Sequence, residues 1–162
     1  MEYNKKMAAR PDGRLRLSEA AISRIARVER SRRRAWAEKG LLGKGGSGGY
    51  GELDACEAAV LRELAAELEF DLAREAWLAI RMELSGLLLA APLFVVFDEA
   101  RVEASLRSDL GSLGTAIARP GRYIVVEVTE AVADARTGFR NAVAAKSDPP
   151  RGVRGNVQEL RQ

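Results

Sequence analysis

The most informative stretch of the sequence runs from Val28 to Tyr50 and reads VERSRRRAWAEKGLLGKGGSGGY. It contains four arginines in a window of five residues, at positions 30, 32, 33 and 34, and Trp36 follows them. Gly40 comes next, where a glycine fits the left-handed position that ends many helices. The run 43–49, called the arm below, is almost free of side chains, which suits either a hairpin tip or a flexible loop. The stretch therefore predicts a short basic helix followed by a glycine-rich arm.

A basic helix of this kind suits a groove of duplex DNA. The phosphates attract a cationic face, while an apolar face must hold the helix against its own domain. The cationic face would comprise Arg30, Arg33, Arg34 and Lys39, and the apolar face Ala35 and Trp36. Arginine suits the role because its planar fork can grip a phosphate or a guanine edge at two points. The alternative is a solvated surface helix, since a basic patch is an electrostatic footprint and not proof of binding.

A first short helix is predicted upstream of the basic helix. Residues 17–26 place an apolar stripe on one face, and Ser18 stands where a hydroxyl can cap the first turn. No glycine or proline separates the two helices, so a single long helix must be considered. That helix would need apolar residues where the chain has Arg32 and Arg33, so we expect a break. Val28 falls where an apolar side chain can fill the corner of a helix-turn-helix.

These residues resemble the winged helix-turn-helix of the MerR family of bacterial transcription regulators. The matching positions are Val28, Arg34, Trp36, the run 39–42 (Lys-Gly-Leu-Leu), the pair Gly49 and Tyr50, and Asp54 as the cap of the following helix. The resemblance covers roughly residues 15 to 68, and the spacing from Val28 to Gly40 matches the family without a gap. The chain departs from the family at Arg27 (a turn glycine), Glu29 (a hydroxyl cap), Arg33 (an apolar residue), Gly51 (a wing arginine) and Leu53 (a wing aromatic).

The resemblance implies a transcription regulator that binds double-stranded DNA as a homodimer on an inverted-repeat operator. The candidate DNA-binding residues are Arg30, Arg32, Arg33, Arg34, Lys39, Lys44 and Tyr50. Two alternatives stay open. One is an excisionase-like architectural DNA-binding protein, although such proteins are usually shorter. The other is a protein-interaction module without DNA binding, in which the acidic middle of the chain docks a basic partner.

Charge is distributed unevenly along this chain of 162 residues, whose net charge is +3. Residues 1–53 carry thirteen Lys/Arg and six Asp/Glu, whereas residues 54–145 carry nine and fifteen. The basic first third is thus the candidate nucleic-acid face, and the acidic middle is poorly suited to touching DNA. An apolar content of 47% allows one modest core or two small ones.

Residues that commonly carry chemistry are sparse. The chain has no histidine and one cysteine, Cys56, which lies among alanines and is interpreted as a small buried hydrophobe. Asp98 and Glu99 end a predicted strand and are interpreted as turn residues, so we expect no enzyme, metal or cofactor. A lone cysteine suits a reducing compartment, the start of the chain is polar and basic, and no apolar run is long enough to span a bilayer. We therefore expect a cytoplasmic protein without membrane contact.

The second half of the chain changes character. Residues 54–91 predict a helix packed on the DNA-binding unit and then a helix of about five turns from Phe70, with Trp77 as a core or interface anchor. Runs 93–97 and 123–128 predict two adjacent strands. A predicted helix between them, Val102 to Ile117, allows those strands to be parallel. A last helix is predicted from Glu130 to about Ala145, capped by Thr129.

The expected fold class is α+β and mainly helical. It comprises a winged helix-turn-helix over 17–69, followed over 70–145 by a long helix and a small α/β domain with two short strands. Residues 1–16 would be a flexible basic N-terminus, and residues 146–162 a disordered tail. Two strands rarely stand alone in water, so we expect the second domain to dimerise, to sense an unknown small-molecule effector, or both.

Overall fold

The computed structural model describes residues 15–147, which form six helices and one three-stranded sheet. The helices are α1 (Glu19–Ile25), α2 (Arg30–Glu38), α3 (Glu52–Glu67), α4 (Phe70–Leu84), α5 (Leu110–Ala116) and α6 (Thr129–Ser147). The strands are β1 (Phe94–Asp98), β2 (Glu103–Arg107) and β3 (Tyr123–Glu127). The mainly helical α+β class is therefore confirmed. Most of the predicted flexible N-terminus and disordered tail lies outside the described residues, although Lys146 and Ser147 belong to α6.

A tight turn separates α1 from α2. Ser18 caps α1 as predicted, because its hydroxyl accepts a hydrogen bond of 3.3 Å from the backbone N–H of Ala21. Arg27 then adopts a left-handed backbone with φ of +55°. The N–H of Val28 donates to the carbonyl of Ser23 at 2.9 Å, and the Val28 side chain is buried in the corner. The two helices are thus separate because a left-handed residue cannot continue a right-handed helix.

The chain after α2 turns back into the core. Gly40 has a φ of +73°, which ends the helix where the sequence predicts. Leu41 and Leu42 are both buried. The carbonyl of Leu41 accepts a hydrogen bond of 2.7 Å from the indole nitrogen of Trp77 on α4. Trp77 is fully buried, so its predicted role as a core anchor is confirmed.

One hydrophobic core runs through the described residues, from Leu17 to Phe139. The helix α3 lies at its centre, where Val60, Leu61 and Leu64 are fully buried. Both α4 and α6 pack against α3, and α6 also packs against α1. Residues on both sides of position 69 consequently contribute to one core.

The sheet has the order β2-β1-β3 and is antiparallel throughout. The two predicted strands are neighbours as expected, but the parallel arrangement is wrong. The predicted helix from Val102 to Ile117 is also wrong over its first half, because residues 103–107 form β2 and only 110–116 are helical. Four residues connect β1 to β2, and Val102 among them has a φ of +54°. Such a short connection makes β1 and β2 a hairpin, whereas β3 returns through α5 parallel to β2 and therefore antiparallel to β1 between them.

Side chains of β1 are buried on both faces of the sheet. Val95 and Phe97 belong to the main core together with Leu106 and Val126. Phe94 and Val96 point to the opposite face, since neighbouring residues of a strand alternate, and α5 lies against β1 and β2.

Helix boundaries correct three further predictions. Asp54 lies in the first turn of α3 and not at its cap, and its carboxylate accepts a 2.7 Å hydrogen bond from the N–H of Gly51. Thr129 is itself the first residue of α6, and its hydroxyl accepts a 2.8 Å bond from the N–H of Leu93. The helix α4 has 15 residues, about four turns instead of five.

Among the described residues, no helix is both long and apolar enough to cross a membrane.

Candidate nucleic-acid interface

The exposed surface of α2 carries three of its four arginines. Arg30 and Arg34 expose 56% and 57% of their side chains, and they lie one turn apart on the flank nearest α1. Arg32 lies on the other flank, with its guanidinium 5.3 Å from the ring centre of Trp36. Lys39, seven residues further on, shares that flank and lies 4.4 Å over the ring of Phe70. The helix therefore presents cations along both of its flanks.

Glu19 of α1 lies against the first of these flanks. Its carboxylate accepts hydrogen bonds from Arg34 at 2.7, 3.0 and 3.1 Å, and it lies 3.7 Å from both Arg30 and Arg33. The hydrogen bond from Arg34 is the main reason why the pKa of Glu19 lies below its ordinary value of 4.5. The pair ties α1 to α2, and Arg34 can reach another anion only by sharing this carboxylate or leaving it.

Arg33 lies inside the domain and not on the cationic face that we predicted. It is 1% exposed and shares the inward face of α2 with Trp36 and Ala37. Ala35, which we expected on that face, is exposed instead. These positions follow from the helical repeat, because residues 33, 36 and 37 are three and four apart and must share one side.

The guanidinium of Arg33 fastens the arm to α2. It lies 4.0 Å from the ring centre of Tyr50, and its Nη2 donates to the carbonyl of Gly43 at 3.1 Å. Its Nε and Nη1 are buried and find no hydrogen-bond partner among the described residues. A buried arginine held by one hydrogen bond and one ring is an internal brace, because burial hides its charge from any external phosphate.

The arm is an ordered hairpin and not a flexible loop. Gly46 and Gly49 pair across its tip, and Tyr50 pairs with Leu17 through two backbone hydrogen bonds of 2.9 Å. Gly49 has a φ of +90°, and a Cβ there would lie 2.5 Å from the carbonyl oxygen of Leu17. Only glycine fits that position, so the glycine content of the arm serves its shape.

Tyr50 supports the arm from the inside, which corrects its predicted place on the DNA surface. The residue is 8% exposed, and its hydroxyl donates to the carbonyl of Lys44 at 2.8 Å. Its ring also fills the space beside Gly45, where a Cβ would come within 2.6 Å. Lys44 itself is exposed and is the cation that the arm presents.

Five of the seven predicted residues consequently remain at the surface. These are Arg30, Arg32, Arg34, Lys39 and Lys44, whereas Arg33 and Tyr50 hold the arm against α2. Helical periodicity could have found the inward turn of Arg33. Sequence reasoning also missed Glu19, and no local signal reveals it, because Arg34 lies 15 residues away.

Two ionisable groups of α3 are buried in the core. Burial raises the pKa of the Cys56 thiol from 9.0 to about 12, so the thiol stays protonated near neutral pH. Burial also raises the pKa of Glu57, against the opposing effect of Arg81, whose Nε lies 3.5 Å away. Within residues 15–147, no group of His, Cys, Asp and Glu side chains could hold a metal ion.

The geometry combines a short, cation-flanked helix with a rigid glycine hairpin beside it. Comparison of the chain with protein-family models finds no match, and comparison with curated proteins finds none either. The resemblance to the MerR family therefore depends on the residues quoted above.

Proposed function

We propose that this protein is a sequence-specific DNA-binding transcription regulator. In this proposal α1 and α2 form a helix-turn-helix, and the arm acts as its wing. The observation that carries the proposal is the internal brace of Arg33 and Tyr50, which joins a cation-flanked helix to a glycine hairpin. A helix and a wing held at a constant separation can contact a groove and its bordering phosphates together.

The distribution of ion pairs supports different roles for the surface cations. Within the described part of the chain, no carboxylate lies within 4 Å of Arg32, Lys39 or Lys44. These three are suited to phosphates, since binding them breaks no ion pair with a carboxylate. Arg34 is oriented by Glu19, and we assign it to a guanine edge, where a fixed guanidinium fork discriminates best.

The proposal includes a homodimer whose contact lies on α4. On the outer face of α4, Leu78 is 46% exposed and Met82 is 86% exposed. Phe70, the first residue of the helix, is 37% exposed. Leu78 and Met82 are four residues apart and share one side of the helix, with Arg74 between them and Phe70, and a partner that covers this side removes the apolar side chains from water. Two joined copies would offer two α2 helices to an inverted repeat, and the linkage raises the effective concentration of the second helix.

The DNA-binding proposal is tested with the full-length chain and fluorescently labelled duplexes. One duplex is of random sequence and another is selected from a random pool, and Kd is measured by anisotropy over a range of salt concentrations. We expect the logarithm of the affinity to fall linearly with the logarithm of salt concentration, at a slope of about −0.9 per phosphate contact. No salt-sensitive binding would contradict the proposal and favour the protein-interaction module.

Substitutions then distinguish the cations. Arg32→Ala and Lys44→Ala should each reduce the salt slope by about 1, while Arg34→Ala should weaken the selected duplex by about 1–3 kcal/mol and relax its specificity. Arg122→Ala is the matched control, because it removes the same charge from the loop before β3. Equal binding of random and selected duplexes would indicate an architectural protein instead of a sequence-specific regulator.

The dimer is tested by surface substitution in the intact chain, since α4 and α6 both cover α3 and truncation would open the core. Sedimentation at micromolar concentration should give a dimer for the wild type and a monomer for Met82→Asp. Ala133→Asp on the exposed side of α6 adds the same charge and should leave the dimer intact. A monomeric wild type, or a dimeric Met82→Asp, would remove α4 as the contact.

A further inference from the structure

A cleft on the second face of the sheet is separate from the surface formed by α2 and the arm. It has a volume of about 340 Å³ and lies between β1, β2 and the segment that runs from α5 into β3. Three arginines from three different segments line it: Arg101 from the β1–β2 turn, Arg107 from β2, and Arg119 from the loop after α5. We infer that this cleft is a binding site for a small anion that bears carboxylate or phosphate groups.

The register of the sheet explains why these groups meet. Val96 pairs with Ser105, and residues two apart on a strand share a face, so Ser105 and Arg107 stand on the same side as Val96. The Nε of Arg107 donates to the hydroxyl oxygen of Ser105 at 3.2 Å. This bond orients the guanidinium along the sheet and leaves its two Nη groups for another acceptor.

Two of the three cations form no direct ion pair within residues 15–147, and Arg107 interacts with Asp109 only over a longer distance. Among the residues that the structure describes, no carboxylate lies within 4 Å of Arg107 or Arg119. Asp98 lines the same cleft, but its Oδ1 accepts the backbone N–H groups of Ala100 and Arg101 at 3.0 and 3.2 Å. The other carboxylate in the lining is Glu103. Three guanidinium groups against two carboxylates leave the cleft cationic, so an anion that enters it gains more than one charge-assisted hydrogen bond.

The remaining walls restrict the ligand to a small one. The hydroxyl of Tyr123 donates to the carbonyl of Arg119 at 3.1 Å, which holds the loop after α5 and places a flat ring at one side of the cleft. Ser105 accepts from Arg107 and therefore keeps its own hydroxyl hydrogen for a ligand. A volume near the lower end of small-molecule sites suits a di- or tricarboxylate or a phosphate ester. Arginine forks match both groups in two-point geometry.

The test is thermal unfolding of the full-length chain in inorganic phosphate, in citrate and in chloride at equal ionic strength, followed by calorimetric titration. A ligand that binds only the folded state raises the midpoint with the logarithm of 1 + [L]/Kd, so phosphate, citrate or both should raise it above the chloride value. The two probes distinguish phosphate from carboxylate preference. Because both anions also stabilise folded proteins by exclusion from the surface, only a shift that is lost in Arg107→Gln or Arg119→Gln supports the site. Equal midpoints in all three salts would overturn it. The samples contain no DNA, so the outcome is independent of the proposed regulatory function.

Variants locate the bound anion. Arg107→Gln and Arg119→Gln should each raise the Kd of the better probe by about tenfold or more, as expected for the loss of a charge-assisted hydrogen bond. Arg122→Gln is the matched control: it is 87% exposed, lies 3.1 Å from Glu99 and does not line the cleft, so its Kd should equal that of the wild type. Arg119 is exposed, so its substitution tests the site even if Arg107→Gln fails to fold. Equal losses in all three variants would show general charge attraction and refute the cleft.

Discussion

Replacing Arg33 tests whether an arginine of the basic stretch supports the fold or contacts DNA. The substitution to alanine removes the 3.1 Å hydrogen bond to the Gly43 carbonyl and the stacking 4.0 Å from the Tyr50 ring centre. A hydrogen bond from a charged donor contributes about 1.5–3 kcal/mol, and a desolvated cation–π contact about 2 kcal/mol. Loss of the ion pair between Arg33 Nη1 and Glu19 Oε1, 3.7 Å apart, adds little to the loss of stability, because the Glu19 carboxylate keeps its hydrogen bonds to Arg34.

Two effects modify that sum in opposite directions. The buried Nε and Nη1 have no hydrogen-bond partner among the described residues, so their removal returns part of a desolvation penalty of about 1–3 kcal/mol per group. Truncation of a side chain that is 1% exposed also leaves a cavity, which costs stability. We therefore expect Arg33→Ala to lower the free energy of unfolding by about 2–4 kcal/mol, short of the simple sum of lost contacts.

Methionine at the same position is the matched control. It keeps most of the volume and a favourable contact with the Tyr50 ring, while it removes the buried charge. Apolar replacement of a buried charge at similar volume is often neutral, so Arg33→Met should remain within about 1 kcal/mol of the wild type. Because the native guanidinium is buried, Arg33→Met should keep the salt slope of DNA binding, although loss of its hydrogen bond to the Gly43 carbonyl loosens the arm and weakens the affinity.

Urea unfolding followed by far-UV circular dichroism measures the stabilities, and anisotropy measures DNA binding beside Arg32→Ala. Wild-type stability of Arg33→Ala would show that the brace contributes nothing. A well-folded Arg33→Met whose salt slope falls by about 1, as expected of Arg32→Ala, would show that position 33 turns outward to the nucleic acid. Either result refutes the reasoning.

Three further predictions concern the turn at Arg27, the thiol of Cys56 and the carboxylate of Glu19 beside α2. Arg27→Gly should be more stable than Arg27→Ala by about 1 kcal/mol. Both variants lose the 3.3 Å ion pair with Asp134, but only glycine adopts a φ of +55° without strain. Equal urea midpoints for the two variants would show that the turn is unstrained. Cys56, whose pKa is raised to about 12, should react with a disulfide reagent only as fast as the protein unfolds, and rapid labelling of the folded protein would contradict its burial. Its contribution to stability is complete below pH 9.0 and should be lost as the pH rises towards 12. Glu19, whose pKa is lowered, should contribute stability above pH 4.5 that is lost as the pH falls through its folded pKa. Urea midpoints over that acidic range should therefore fall less in Glu19→Gln than in the wild type, and parallel curves would exclude Glu19 as the cause.

Local chemistry accounts for the parts of the fold that the sequence predicts correctly. Ser18 caps a helix because its hydroxyl reaches an N–H within the same turn, and Gly40 ends one because it tolerates a positive φ. The apolar runs around Val95 and Val126 predict strands because continuous apolar character over a few residues suits a covered sheet. Each of these inferences needs only residues that are close in the chain.

The strand β2 was not predicted because its pattern is weak. It reads EASLR, and only Leu106 in it is buried. Its hydrogen-bond partners lie on β1, so pairing with a neighbour decides its conformation where the residues alone do not. The same hairpin fixes the antiparallel order of the sheet and brings Arg107 to the cleft.

The end of α2 at Gly40 and the inward place of Trp77 could be inferred from residues close in the chain, whereas the composition of the arm left open a hairpin or a flexible loop. Contacts between distant segments were needed to find which cations are exposed and which groups meet. Arg33 looks like a surface residue because of its charge, yet its place on α2 points it at Tyr50 and the carbonyl of Gly43. Glu19 meets Arg34 across two helices. The physical reason is that periodicity sets which residues share a face, whereas the surface that a face meets depends on parts of the chain that are distant in sequence.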